Sequence, residues 1–196
     1  MKRRLLIMLL ALISIPVFSQ VSYNIKAGMN MSDFTKDDFS KMKVGFQIGV
    51  GMDYAFDNTW SFQPSLLLTT KGAKSDSEED FEVKANPIYI ELPLMLAAKV
   101  NVASDVNVVF SAGPYAAYGI GGKNTVETSG ISVETDFFGD EDEGGAKRFD
   151  AGVGAGVGLE LSKFLIGFNA ELGLTKLYSD SSSKNLNFAV TVGYRF

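Results

Sequence analysis

Polar and apolar residues alternate one by one along most of the chain, and the pattern is plainest at its end. Leu186, Phe188, Val190, Val192, Tyr194 and Phe196 fall on one face, with Asn185, Asn187, Ala189, Thr191, Gly193 and Arg195 on the other. A period of two marks a strand with unlike faces, and a slip of one residue would exchange them. Similar runs lie at about 21–31, 43–56, 59–71, 87–100, 105–120, 148–161 and 164–177. With the last twelve residues they make eight predicted strands, each of nine residues or more, the length that crosses a bilayer when tilted. No stretch beyond the first twenty residues sustains a 3.6 period.

The connectors alternate too. Asp57-Asn58, Asn101 to Ser104 and Ser162-Lys163 are short, whereas 32–42, 72–86, 121–147 and 178–184 are longer and polar. Short and long ends therefore segregate to opposite rims, and an even strand number puts both termini beside the short turns. The expected architecture is all-β: an eight-stranded antiparallel up-and-down transmembrane β-barrel with short periplasmic turns and long extracellular loops. No domain boundary interrupts it, so residues 20–196 form one barrel domain.

Residues 1–19 have the layout of a secretory signal: Lys2, Arg3 and Arg4, then an apolar run from Leu5 to Ile15, then Val17-Phe18-Ser19 as a cleavage site. The run is too short for a comfortable membrane span, and Pro16 breaks it. Cleavage after Ser19 is expected. No cysteine follows, so lipid attachment at a new N-terminal cysteine is ruled out.

Eight strands also build soluble lipocalin-like barrels whose apolar faces point inward, and the composition of the polar face separates the two. In a soluble barrel that face would be dense in Lys, Glu and Thr. Here it is mostly small: Gly45, Gly49 and Gly51; Ser111, Gly113, Ala117 and Gly119; Gly152, Gly154, Gly156 and Gly158. Small residues suit a crowded, narrow interior. The opposite face carries Ile88, Ile90, Leu92, Leu94 and Leu96, as a lipid-facing wall requires. Tyr54, Phe56, Trp60, Phe62, Phe164, Tyr194 and Phe196 gather near the short-turn rim as an expected interfacial girdle. Phe196, closing an alternating strand, also has the form of a C-terminal assembly signal.

Composition narrows the chemistry. The chain has 20 Gly, 15 Phe and 7 Tyr, but neither cysteine nor histidine. Disulfides, Cys/His zinc sites and His-dependent triads are thereby excluded. The formal charge of −5 becomes more negative once the leader is gone, which disfavours nucleic acid as a partner. The inward face is expected to hold Lys26, Asp53, Glu91, Lys99, Asp150, Glu160, Glu171 and Arg195. Paired carboxylates can do acid/base work, but charges buried in so narrow a barrel must pair, so this set is expected to be a structural network.

Two other features invite chemistry. The run Gly152 to Gly158 misses the G-x-G-x-x-G spacing, because its glycines alternate on one side of a strand. Asp136, Asp140, Glu141, Asp142 and Glu143 in the third long loop, and Asp76, Glu78, Glu79, Asp80 and Glu82 in the second, are oxygen ligands of the kind calcium takes. The EF-hand pattern fails at Gly144, and the expectation is solvated acidic loops with no metal or cofactor.

Several segments resemble one family in order along the mature chain: Ile25 to Ser32, Ser61 to Pro64 and on through Lys71-Gly72-Ala73, Tyr89 to Leu94, Gly113-Pro114-Tyr115, Phe149 to Gly156, Glu171 to Leu174, and Gly193 to Phe196. The family is the outer-membrane β-barrel domain abundant in Bacteroidetes, which includes the PorT-like proteins. Ser65 departs from it, standing where the family often has a glutamate. The resemblance implies a barrel in the outer membrane of a Gram-negative organism and implies no catalytic residues. The secretion role of PorT-like members is not carried over to this short form.

The functional expectation is a monomeric, non-enzymatic scaffold that displays acidic loops outside the cell. Its expected partners are outer-membrane lipids and lipopolysaccharide, the barrel assembly machinery and other envelope proteins. The alternatives are a small solute pore or transporter, weakened by inward Tyr89, Met95 and Tyr115, and a soluble lipocalin-like ligand binder. A lipid-modifying enzyme is a minor alternative, because no histidine is present.

Overall fold

The computed structural model describes residues 20–35, 40–75, 81–128, 131–139, 145–178 and 182–196. The leader at 1–19 lies outside these residues. The described elements are all strands: β1 (Val21–Phe34), β2 (Ser40–Ala55), β3 (Trp60–Thr70), β4 (Ala73–Ser75), β5 (Phe81–Ala103), β6 (Val106–Thr128), β7 (Ile131–Asp136), β8 (Phe149–Leu161), β9 (Phe164–Gly173) and β10 (Asn185–Arg195).

Every neighbouring pair is antiparallel. The ring runs β1, β2, β3, β5, β6, β8, β9 and β10, and closes where β10 pairs with β1 from Asn24↔Arg195 to Phe34↔Asn185. The fold is therefore an eight-membered barrel. β4 continues β3 past Gly72 and pairs with β2 and β5, while β7 folds back on β6.

Alternation sets the faces. Val190 and Val192 are 56% and 60% exposed, whereas Asn187, Ala189 and Thr191, on the alternate positions of the same strand, are buried. Ile48, Leu66, Leu92, Phe110, Val157 and Phe168 lie on the same outer wall. A contiguous apolar belt of this size around a polar interior inverts the order of a soluble barrel, and lipid is the solvent it fits. No described helix is long and apolar enough to cross a membrane.

The short turns are tight. Asp105 (φ 60°) and Ser162 (φ 56°) take the left-handed conformation that closes a two-residue hairpin. In the third short turn, Asp57 Oδ1 accepts the N–H of Thr59 and of Trp60, both at 2.7 Å.

The long ends differ from the expected loops. Connectors 72–86 and 121–147 hold β4, the first part of β5, the last part of β6 and β7. The reason is local to two glycines. Gly72 (φ 141°) and Gly122 (φ 138°) flank β5 on either side, and a Cβ at either would meet the backbone of Ala85 or Asn86. They let the neighbouring strands shift register, as the slip at Ile88/Tyr89 records, and the sheet then continues beyond the barrel. Of the acidic residues, Glu82 lies in β5 and Asp136 in β7; Asp76, Glu78, Glu79, Asp80, Asp140, Glu141, Asp142 and Glu143 lie outside the described residues.

Candidate functional site in the barrel interior

The inward positions of the ring form two clusters of charge, one toward each end. Toward the long-loop end the centre is Lys71, just past β3 and fully buried. Its ammonium pairs with Glu91 and stands 3.5 Å from Glu171 Oε2 and 3.8 Å from Asp150 Oδ2. It also lies 4.3 Å from the centre of the Tyr115 ring, a cation–π contact in a dry setting. The carboxylates are held in turn. Asp150 accepts hydrogen bonds from Tyr115 (3.0 Å), Thr175 (2.8 Å) and Asn185 (2.9 Å), and Glu171 accepts one from Asn187 (2.9 Å). Asn30 donates to Asn187 Oδ1 at 2.9 Å and to the Thr70 carbonyl at 2.8 Å, tying β1 to the same group.

A hydrophobic stopper lies over this cluster. Phe137 and Phe138, which follow β7, turn inward and are buried with Phe34, Tyr89, Tyr115, Ala146 and Leu177. Phe138 meets Phe137 and Tyr89 edge-on, at ring separations of 4.9 and 5.5 Å. It lies against Gly119, where a Cβ would overlap its ring. Arg148 stacks 5.2 Å from the Phe138 ring centre and donates to the Gly119 carbonyl at 3.0 Å.

Toward the short-turn end the charges are more evenly matched. Lys99 Nζ reaches Asp53 Oδ2 at 2.5 Å and Glu160 Oε1 at 3.0 Å, and Arg195 reaches Glu160 Oε2 at 3.1 Å. Gln63 donates to Asp53 at 2.9 Å, and Lys26 donates to Ser65 Oγ at 3.0 Å. Beside them is a cavity of about 100 Å³, bordered by Lys26, Gln63, Ser111, Asn169 and Thr191. Gly158 and Gly167, Cα partners on β8 and β9, leave this space open.

Lys26, Asp53, Glu91, Lys99, Asp150, Glu160, Glu171 and Arg195 thus all lie on the inner wall, in two groups. Sequence reasoning missed Lys71, although it shares the inward parity of Ser61, Gln63, Ser65, Leu67 and Thr69. It also missed Phe137 and Phe138, because they follow an acidic stretch rather than a strand pattern. At the short-turn rim, Tyr54 meets Phe56, and Tyr194 meets Phe164 and Phe196, at ring separations of 5.4 to 5.6 Å. Trp60 and Phe62 flank them at the start of β3, and the Phe196 N–H donates to the Tyr23 carbonyl at 2.9 Å.

Among solved structures the chain is similar to the outer membrane protein OprG from Pseudomonas aeruginosa, at 10% identity over 89% of this chain and 95% of that one, with a TM-score of 0.52. It also matches Neisserial surface protein A, at 10% identity over 90% and 97% of the two chains (TM-score 0.48). A third match is Ail, the attachment invasion locus protein of Yersinia pestis, at 18% identity over 90% and 99% (TM-score 0.45). At these identities the OprG likeness speaks for the fold alone. No curated protein matches the chain in sequence. The family described as outer membrane protein beta-barrel domain matches residues 14–179, most of the strands just described, and the chain belongs to that family, which sits in the Gram-negative outer membrane.

Proposed function

We propose that this barrel is a non-catalytic scaffold of the outer membrane that presents the outer ends of its strands and loops to other molecules, and that it conducts no solutes. The observation carrying this reading is the double closure of the long-loop half, by the Lys71 ion cluster and by Phe137 and Phe138 above it. A pore would need a continuous wet path, whereas the cavity beside Lys26 borders only the short-turn half. The eight charged inward residues and Lys71 serve as a structural network, with Glu91, Asp53 and Glu160 paired to cations and Asp150 and Glu171 also held by amides.

The remaining parts of the reading follow from position. Cleavage after Ser19 delivers residues 20–196 to the periplasm, and the assembly machinery reads the strand ending in Phe196. The barrel is a monomer, with lipid and lipopolysaccharide around its belt and the girdle of Tyr54, Phe56, Trp60, Phe62, Phe164 and Tyr194 at the inner interface. Its affiliation with the Bacteroidetes, PorT-like branch rests on the ordered segments from Ile25 to Phe196.

Planar-bilayer recording on purified, refolded protein tests the scaffold against the pore. A silent membrane is expected. Reproducible single-channel steps would overturn the scaffold reading.

A further inference from the structure

Closure of a barrel removes the exposed edges of a sheet, and among the described residues an edge returns at β7. β5 and β6 each run for 23 residues, about twice what a bilayer crossing needs, and their outer ends project past the rim with β7 alongside. All six residues of β7 are exposed, Ile131 and Val133 at 65% and 54%.

β7 pairs with β6 from Thr128↔Ile131 to Lys123↔Asp136, and no other described strand pairs with it. The Phe137 N–H donates to the Gly122 carbonyl of β6 at 3.0 Å. Antiparallel alternation then turns the N–H and C=O of Ile131, Val133 and Thr135 toward β6, and those of Ser132, Glu134 and Asp136 toward the open side.

The two faces at this edge differ. Val83, Val126 and Val133 are Cα partners in a row across β5, β6 and β7, so the row ends at the open edge. The other face is charged, with Lys84 against Glu127 at 3.5 Å and Lys123 against Glu134. Asp136 adds a further negative charge there. Natural edges are blunted by short length, charge (lysine above all), proline or a bulge; Ile-Ser-Val-Glu-Thr-Asp is short and carries two carboxylates, but it lacks lysine and proline and keeps unbroken register with β6.

We propose that the free edge of β7 takes up an extended segment of another polypeptide as an added strand. The segment places apolar side chains beside Ile131 and Val133 and basic ones beside Glu134 and Asp136. A second copy of this chain fits less well, because antiparallel self-pairing centred on Glu134 would set two glutamates directly opposite one another, and pairing centred on Val133 would leave them diagonal neighbours with no basic partner. This inference rests on the scaffold reading and specifies how its partner is held.

The test uses the full barrel in lipid nanodiscs and, as probe, a fluorescent eight-residue peptide of alternating lysine and valine. Ser132→Pro removes one outward N–H while leaving the β6 ladder and the Lys123–Glu134 pair in place; Ser132→Ala keeps the N–H. Peptide affinity should fall about tenfold in Ser132→Pro and stay within about twofold in Ser132→Ala, the scale of one interfacial hydrogen bond. A probe N-methylated at alternate amides should not bind. Equal binding to Ser132→Pro, binding of the N-methylated probe, or no binding of the parent probe would each overturn the inference. Dimers that form in the wild type but not in Ser132→Pro would overturn it in favour of a second copy. Unchanged heat-modifiable gel mobility checks that each variant is folded. None of these outcomes bears on conductance, so a failure here is distinguishable from a failure of the scaffold reading.

Discussion

The two halves of the barrel interior solve the same problem differently. In the long-loop half one ammonium, Lys71, faces three carboxylates and is fully buried beneath aromatic rings. In the short-turn half Lys99, Arg195 and Lys26 accompany Asp53 and Glu160 beside a cavity, and the Arg195 side chain is 26% exposed. A charge stripped of water depends wholly on its partner, whereas one near water has an alternative. The sealed half therefore rests on a single side chain, and the wetter half spreads its dependence over several.

The sharpest way to break this contrast is to remove one cation from each half. Lys71→Met leaves Glu91, Glu171 and Asp150 without a cation and should cost about 3–5 kcal/mol. Lys99→Met leaves Asp53 with Gln63 and Glu160 with Arg195, and should cost about 1–2 kcal/mol. Urea unfolding in detergent micelles measures both. Equal costs would mean that the two halves are sealed alike.

A smaller effect separates the filled half from the hollow one. Gly119→Ala drives a methyl group into the Phe138 ring and should destabilise by about 1–3 kcal/mol. At Gly167 the new Cβ meets the Thr191 hydroxyl, 2.9 Å away and able to turn toward the cavity, and the Asn169 side-chain nitrogen at an ordinary 3.6 Å. Gly167→Ala should lie within about 0.5 kcal/mol of the parent, helped by lower entropy in the unfolded chain. A shift of similar size in both would argue that the cavity is occupied by protein in solution.

The smallest expected effect is at the short-turn rim. The N–H groups of Trp60 and Thr59 hold the Asp57 carboxyl below its ordinary range. Its contribution to the turn is present above the unfolded value of about 3.9 and is lost as pH falls through the lower folded value. Amide resonances of Thr59 and Trp60 should titrate together below about pH 4 in the parent and remain flat in Asp57→Asn, which keeps an acceptor without a charge. Titration that persists in Asp57→Asn would assign the transition to another carboxyl.

Much of this was legible beforehand, because period-two alternation and the spacing of short and long connectors are local properties. Leu186 to Phe196 shows which residues share a face without reference to any other strand, and the small residues of β2, β6 and β8 then show which face meets lipid. Lys71 lay in the same parity, but its position before Gly72-Ala73 reads as the start of a loop. Ile131 to Asp136 alternates as well, inside a stretch whose acidity suggests solvent rather than sheet.

The sequence by itself determined strand direction, facing and the even count, since each depends on residues next to one another. Only the tertiary structure decided which charges meet. Lys71, Glu91, Asp150 and Glu171 come from four parts of the chain and converge when β10 closes on β1. It alone decided that Phe137 and Phe138 turn inward, because the space they fill exists only above a completed ring. The open edge of β7 has the same origin: β5 and β6 continue past the rim, where the sheet no longer curves round to meet itself.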